Sequence, residues 1–71
     1  MEIKSEVSGT VWKVEISPGA KVVAGDILII LESMKMEIPV EAPGDGKVVE
    51  LLVSEKDVIK DGQTLAIMEL G

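Results

Sequence analysis

Apolar residues recur at every second position in two separate stretches of this 71-residue chain. From Thr10 to Ile16, the residues Trp12, Val14 and Ile16 alternate with Val11, Lys13 and Glu15. Further on, Val49, Leu51 and Val53 repeat the pattern. A period of two predicts half-buried strands, with those two triplets facing inward. The two stretches belong to a longer repeat. Shifted by 37 positions, Gly9 falls on Gly46, Ser17 on Ser54, Gly25 on Gly62, Leu28 on Leu65 and Glu32 on Glu69. No gap is needed between Gly9 and Glu32, which predicts two copies of one supersecondary unit. Each copy continues through a turn (Ser17-Pro18-Gly19 or Ser54-Glu55-Lys56-Asp57) and a short apolar pair (Val22-Val23 or Val58-Ile59). A glycine turn then leads to a second strand, Ile27 to Ser33 or Thr64 to Glu69. No segment has a sustained helical period. The prediction is all-β: two antiparallel sheets in a flattened barrel or sandwich with a pseudo-twofold axis.

The strand after Leu31 can be placed in register. With Met34 and Lys35 as a two-residue turn, Ser33 faces Met36, Leu31 faces Ile38, Ile29 faces Val40 and Ile27 faces Ala42. Below the tip that face is entirely apolar. The opposite face pairs Glu32 with Glu37, Ile30 with Pro39 and Leu28 with Glu41. A slip by one residue would drive Glu37, Pro39 and Glu41 onto the apolar face. The pattern therefore puts Lys35 at the tip of a hairpin, pointing into solvent. Two local rules are broken there. Two-residue hairpin turns favour Gly, Asn or Asp, because their central residues need positive φ. Glu32 and Glu37 also place like charges opposite one another. Local rules broken without structural gain mark a candidate functional site. Because one copy ends at Glu32 and the other at Glu69, the repeat predicts Lys35 at one end of the molecule and the termini at the other.

Composition then narrows the chemistry. One small domain, residues 1–71, is expected. The chain has neither Cys nor His, which removes disulfides, thiolate nucleophiles, zinc-thiolate sites and the usual general base. A net charge of −6 and a single aromatic, Trp12, argue against nucleic acid and anionic membranes as partners. Ile27 to Leu31 is far too short to span a bilayer, and the N-terminus does not read as a signal peptide. A cytoplasmic location and a monomeric state are expected. Trp12 is expected to be partly buried.

Glu32-Ser33-Met34-Lys35-Met36-Glu37, followed by Ala42-Pro43 and Gly46, resembles the attachment motif of biotinyl domains. The likeness runs from Val7-Ser8-Gly9 through both repeats to Leu65-Ala66-Ile67, and is greatest to the small free-standing biotin/lipoyl attachment proteins of bacilli. It implies a flattened barrel of two four-stranded sheets, with biotin in amide linkage to Lys35. It also implies a carrier without catalytic activity of its own. Its partners would be a biotin–protein ligase and the biotin carboxylase and carboxyltransferase components of a carboxylase. Ser33 stands where that family usually has Ala, and Glu32-Ser33 is also similar to lipoyl domains. Lipoate, attached to the same lysine by a lipoyl ligase, is therefore the alternative cofactor. Met34 and Met36 fit the biotinyl pattern better and would flank the amine as recognition residues. Glu32 and Glu37 are candidates for recognition by the ligase. The stretch from Val7 to Val22 leaves no room for the protruding thumb of some acetyl-CoA carboxylase carriers. Lysine amines in water titrate near pH 10.4, so only about one in a few thousand is neutral at pH 7. With no His in the chain, the ligase is expected to desolvate the attacking amine or to provide its base.

Overall fold

The computed structural model describes residues 1–71 as eight strands and no helix. They are β1 (Glu2–Lys4), β2 (Gly9–Val14), β3 (Lys21–Val22), β4 (Ile27–Ser33), β5 (Met36–Glu41), β6 (Gly46–Leu51), β7 (Val58–Ile59) and β8 (Thr64–Leu70). Two four-stranded antiparallel sheets, ordered β5-β4-β2-β7 and β1-β8-β6-β3, pack face to face. The sheets are not closed on one another, so of the two expected forms the sandwich is the one adopted. The 37-residue shift carries β2, β3 and β4 onto β6, β7 and β8, and one sheet order onto the other. The copies are interlocked: β3 of the first pairs with β6, and β7 of the second pairs with β2.

The turns interlock as well. Gly19 N–H donates to the Val48 carbonyl (2.7 Å) and Val48 N–H to the Ala20 carbonyl (2.9 Å). In the other copy, Lys56 N–H donates to the Val11 carbonyl (2.7 Å) and Val11 N–H to the Asp57 carbonyl (2.8 Å). Neither copy satisfies its own backbone hydrogen bonds without the other.

Thirteen buried apolar residues form the core, among them the repeat mates Val11 and Val48, Val22 and Ile59, and Leu28 and Leu65. The sequence pattern misplaces part of it. Trp12, expected inward, is 49% exposed, while its neighbour Val11 is buried. Val49 is likewise exposed and Val48 buried. The cause is a β-bulge at the same place in each copy: the register shifts between Val11 and Lys13, and between Val48 and Glu50. A bulge sets two residues against one and so reverses the alternation beyond it. Val14 and Leu51, after the bulges, pack against the core as expected.

A second pair of bulges falls at Leu28 and Leu65. Ile27 therefore pairs with Glu41 rather than with Ala42, and Leu28 turns into the core instead of facing Glu41. Gly9 and Gly46 have a different reason to be glycine. A Cβ on either would collide with the carbonyl oxygen of Glu32 or Glu69 respectively. Their absence of side chain lets β2 and β6 close against β4 and β8.

The principal extents are 34 × 19 × 18 Å. The Met34-Lys35 turn caps one end. At the other end, Gly71 N–H donates to the Asp45 carbonyl, and Asp45 Oδ1 accepts from Ala24 N–H in the loop that enters β4. Met1 is hydrogen-bonded to Met68 near the end of β8. Hairpin and termini thus lie at opposite ends, as the repeat predicts.

Candidate functional site at the β4–β5 hairpin

The hairpin register follows the pattern of apolar and polar residues. Ser33 pairs with Met36, Glu32 with Glu37, Leu31 with Ile38, Ile30 with Pro39 and Ile29 with Val40. Leu31 and Ile29 are buried, with Ile38 and Val40 packed against the core, so burial of this face fixes the pairing. The turn must then be closed by Met34 and Lys35. Both hold the left-handed conformation, φ 52° and 64°, as the twist of a two-residue hairpin demands. For residues bearing a Cβ this costs about 1–2 kcal/mol each. The flanking strands impose a turn that its own residues resist.

The root of the hairpin is tied down. Ser33 Oγ donates to the Ser8 carbonyl (2.8 Å), and Ser8 Oγ accepts from Asp61 N–H (3.1 Å). Above this anchor the tip is bare. Met34 is 92% and Met36 63% exposed, and Lys35 is exposed between them. The ion pair of the chain is Lys13 with Glu15 (3.7 Å), leaving the Lys35 amine without a carboxylate partner. Glu32 and Glu37 are exposed cross-strand neighbours just below.

No cavity surrounds Lys35. One groove of about 320 Å³ lies between the edges of β1 and β5, and a smaller one of about 210 Å³ is lined by residues including Trp12, Glu32 and Lys56. Neither includes Met34, Lys35 or Met36. A convex tip with a free primary amine and no enclosing wall has the shape of a substrate that enters another protein's cleft. It lacks the concavity that binding sites require. All five residues singled out in the sequence thus lie together: Lys35 and the two methionines at the tip, Glu32 and Glu37 on one face beneath it. What sequence reasoning missed is the anchoring bond of Ser33 and the exposure of Trp12. The departure of Ser33 from the usual Ala was a signal for the first. The bulge that exposes Trp12 has no signature in composition.

Fold and tip together define an attachment domain, a carrier rather than a catalyst. A family model described as "Biotin-requiring enzyme" matches residues 1–68. A "Biotinylated protein TB7.3 homolog" of Mycobacterium leprae is 42% identical over 67 residues, covering 94% of this chain and 94% of that protein. A "Biotin/lipoyl attachment protein" of Bacillus subtilis is 38% identical over 65 residues, covering 92% and 89%. Among solved structures, a single-chain, multi-domain long-chain acyl-CoA carboxylase superposes with a TM-score of 0.96 at 31% identity. That match covers 100% of this chain and 7% of the carboxylase chain. The chain belongs to the biotin/lipoyl attachment family, and is similar to the carrier domains of biotin-dependent carboxylases.

Proposed function

We propose that Lys35 is the attachment residue and that its amine is biotinylated by a biotin–protein ligase. The observation that supports this most directly is the placement of Lys35 at the apex of a strained two-residue turn, unpaired and flanked by Met34 and Met36. A free primary amine on a convex tip fits amide attachment. The ligase would bring biotin as biotinyl-AMP. The Lys35 amine, once deprotonated, attacks the activated carbonyl, the amide forms and AMP leaves. Bound biotin supplies the carboxyl-carrying chemistry. The chain supplies reach, and tethering supplies a high effective concentration at each carboxylase site. Single-domain organisation over 1–71, a monomeric state and a cytoplasmic location accompany this reading.

A second reading, lipoate on the same amine, is favoured by the name of the B. subtilis relative and by Glu32-Ser33. Intact mass after incubation with ATP, biotin and a biotin–protein ligase separates the two. One biotin increment, lost in Lys35→Arg, supports the first. One lipoyl increment, appearing only with lipoyl ligase and lipoate, supports the second. No increment under either condition rules out both.

A further inference from the structure

The pseudo-twofold repeat gives the molecule two sheets of nearly one backbone shape, of which only one ends in Lys35. Their inner faces are alike, but their outer faces are not. Across the hairpin sheet near the tip run Val58, Thr10, Glu32 and Glu37, each paired with the next. The matching row of the other sheet is Lys21, Lys47 and Glu69. One row further in, the hairpin sheet has the bulged Trp12 with Lys13, then Ile30 and Pro39, where the other has Val49 with Glu50, then Ile67 and Glu2. Val58 and Trp12, 78% and 49% exposed, thus stand where the mates are Lys21 and Val49. The chain's one aromatic residue lies on the outer surface of the sheet that carries Lys35.

We propose that this outer face, centred on Trp12 and Val58 with Ile30 and Pro39 beside them, is where the modifying ligase docks. The proposal rests on the reading of Lys35 as the attachment residue. A ligase that read backbone shape alone would bind either sheet, and half its encounters would present the Gly71 end to its active site. An apolar patch that keeps Trp12, Val58 and Pro39 on one sheet, where the other has the smaller Val49 and the charged Lys21 and Glu2, resolves that ambiguity. Trp is among the residues that carry most of the energy in protein interfaces, and Trp12 is the anchor of that kind on this face, with Val58 as surrounding apolar contact. Glu32 and Glu37 border the patch, with Glu55 lining the smaller groove beside Trp12. Lys13 and Lys56 stand beside Trp12, so the complementary ligase surface is apolar, with Lys/Arg where it meets Glu32 and Glu37.

The test exchanges Trp12→Val and Val58→Lys, residues the same backbone already accepts at positions 49 and 21. With apo-protein as the varied substrate of a biotin–protein ligase, kcat/KM is expected to fall by about tenfold or more, with the change in KM. Val49→Ala, on the other sheet, is expected to stay within about twofold, well short of a hot-spot loss. A double variant within twofold of the parent overturns the proposal. Independently, the ¹⁵N-labelled Lys35→Arg chain is titrated with the ligase. Shifts or broadening at the Trp12 indole, Ile30 and Val58 support docking on this face. Changes centred on Lys21, Val49 and Ile67, changes confined to the tip, or none at all, overturn it. A wild-type chain that takes up no biotin yet shows the hairpin-face shifts would defeat the attachment reading and leave docking standing.

Discussion

Residues 9–33 and 46–70 build the same unit twice, yet the units end differently. The first runs through Ser33 into a two-residue turn and pairs with β5 beyond it, whereas β8 of the second pairs with β1. Each copy thus has an edge strand beside its last strand, but only β4 and β5 are joined by a two-residue turn. The left-handed positions tell a related story. In the second copy, Lys56 holds φ 77° at the place where Gly19 holds φ 91°. Both sit in turns closed by a hydrogen bond, Ala20 N–H to the Ser17 carbonyl and Asp57 N–H to the Ser54 carbonyl. A left-handed lysine thus occurs twice, at Lys35 and at Lys56. Lys56 is clamped by its backbone to Val11, while Lys35 stands clear of the body. Left-handed geometry by itself does not make a presentation site; projection on paired strands does.

The comparison can be broken most forcefully in the core. Leu28→Ala and Leu65→Ala remove equivalent, fully buried bulge residues, and each should cost about 2–5 kcal/mol. That is a large fraction of the stability of so small a domain, about 4–10 kcal/mol. Urea unfolding of both variants should give matching losses. A loss at one site alone would show that the copies do not share the core equally.

Gly9→Ala and Gly46→Ala come next. Each forces a Cβ into the carbonyl of the facing strand, at about 1–3 kcal/mol. Gly9→Ala should in addition raise hydrogen exchange in the β4–β5 hairpin, because its clash includes Ser33 at the hairpin root. Equal exchange in the two variants would contradict that coupling.

Relief of turn strain should act in the opposite direction. Met34→Asn with Lys35→Gly supplies residues suited to positive φ, and should raise stability by about 1–2 kcal/mol while removing the Lys35 amine. A rise in the urea midpoint with loss of modification would show that the tip is maintained against the local preference of its backbone. The smallest effect is expected at Lys56→Gly, a gain of about 1 kcal/mol at most, partly offset by the greater freedom of glycine in the unfolded chain. Modification of Lys35 in this variant should be unchanged.

The hairpin was legible in the sequence because one of its faces is buried and the other polar. Leu31, Ile29, Ile38 and Val40 admit one register, and that register leaves Met34 and Lys35 at the turn. The repeat was legible because Gly9 and Gly46, like Gly25 and Gly62, recur at one offset. The bulges were not legible. An extra residue at Trp12 or Leu28 changes which neighbours face inward without changing composition, and alternation carried across it assigns the wrong face. For the same reason, the exposure of Trp12 emerged only from the paired strands. The left-handed turn at Lys56 had a single clue, its alignment with Gly19, since Ser-Glu-Lys-Asp does not itself demand positive φ.

Site-resolved mass mapping tests the central claim most directly. The chain has seven lysines and no arginine, so every side-chain amine is a lysine and all compete in one reaction. After incubation with a biotin–protein ligase, biotin and ATP, the modified residue is located by fragmentation. The account predicts one biotin per chain, on Lys35, with Lys56 unmodified despite its left-handed backbone. Biotin at Lys56 or spread over several lysines, or none on any of them, would contradict it.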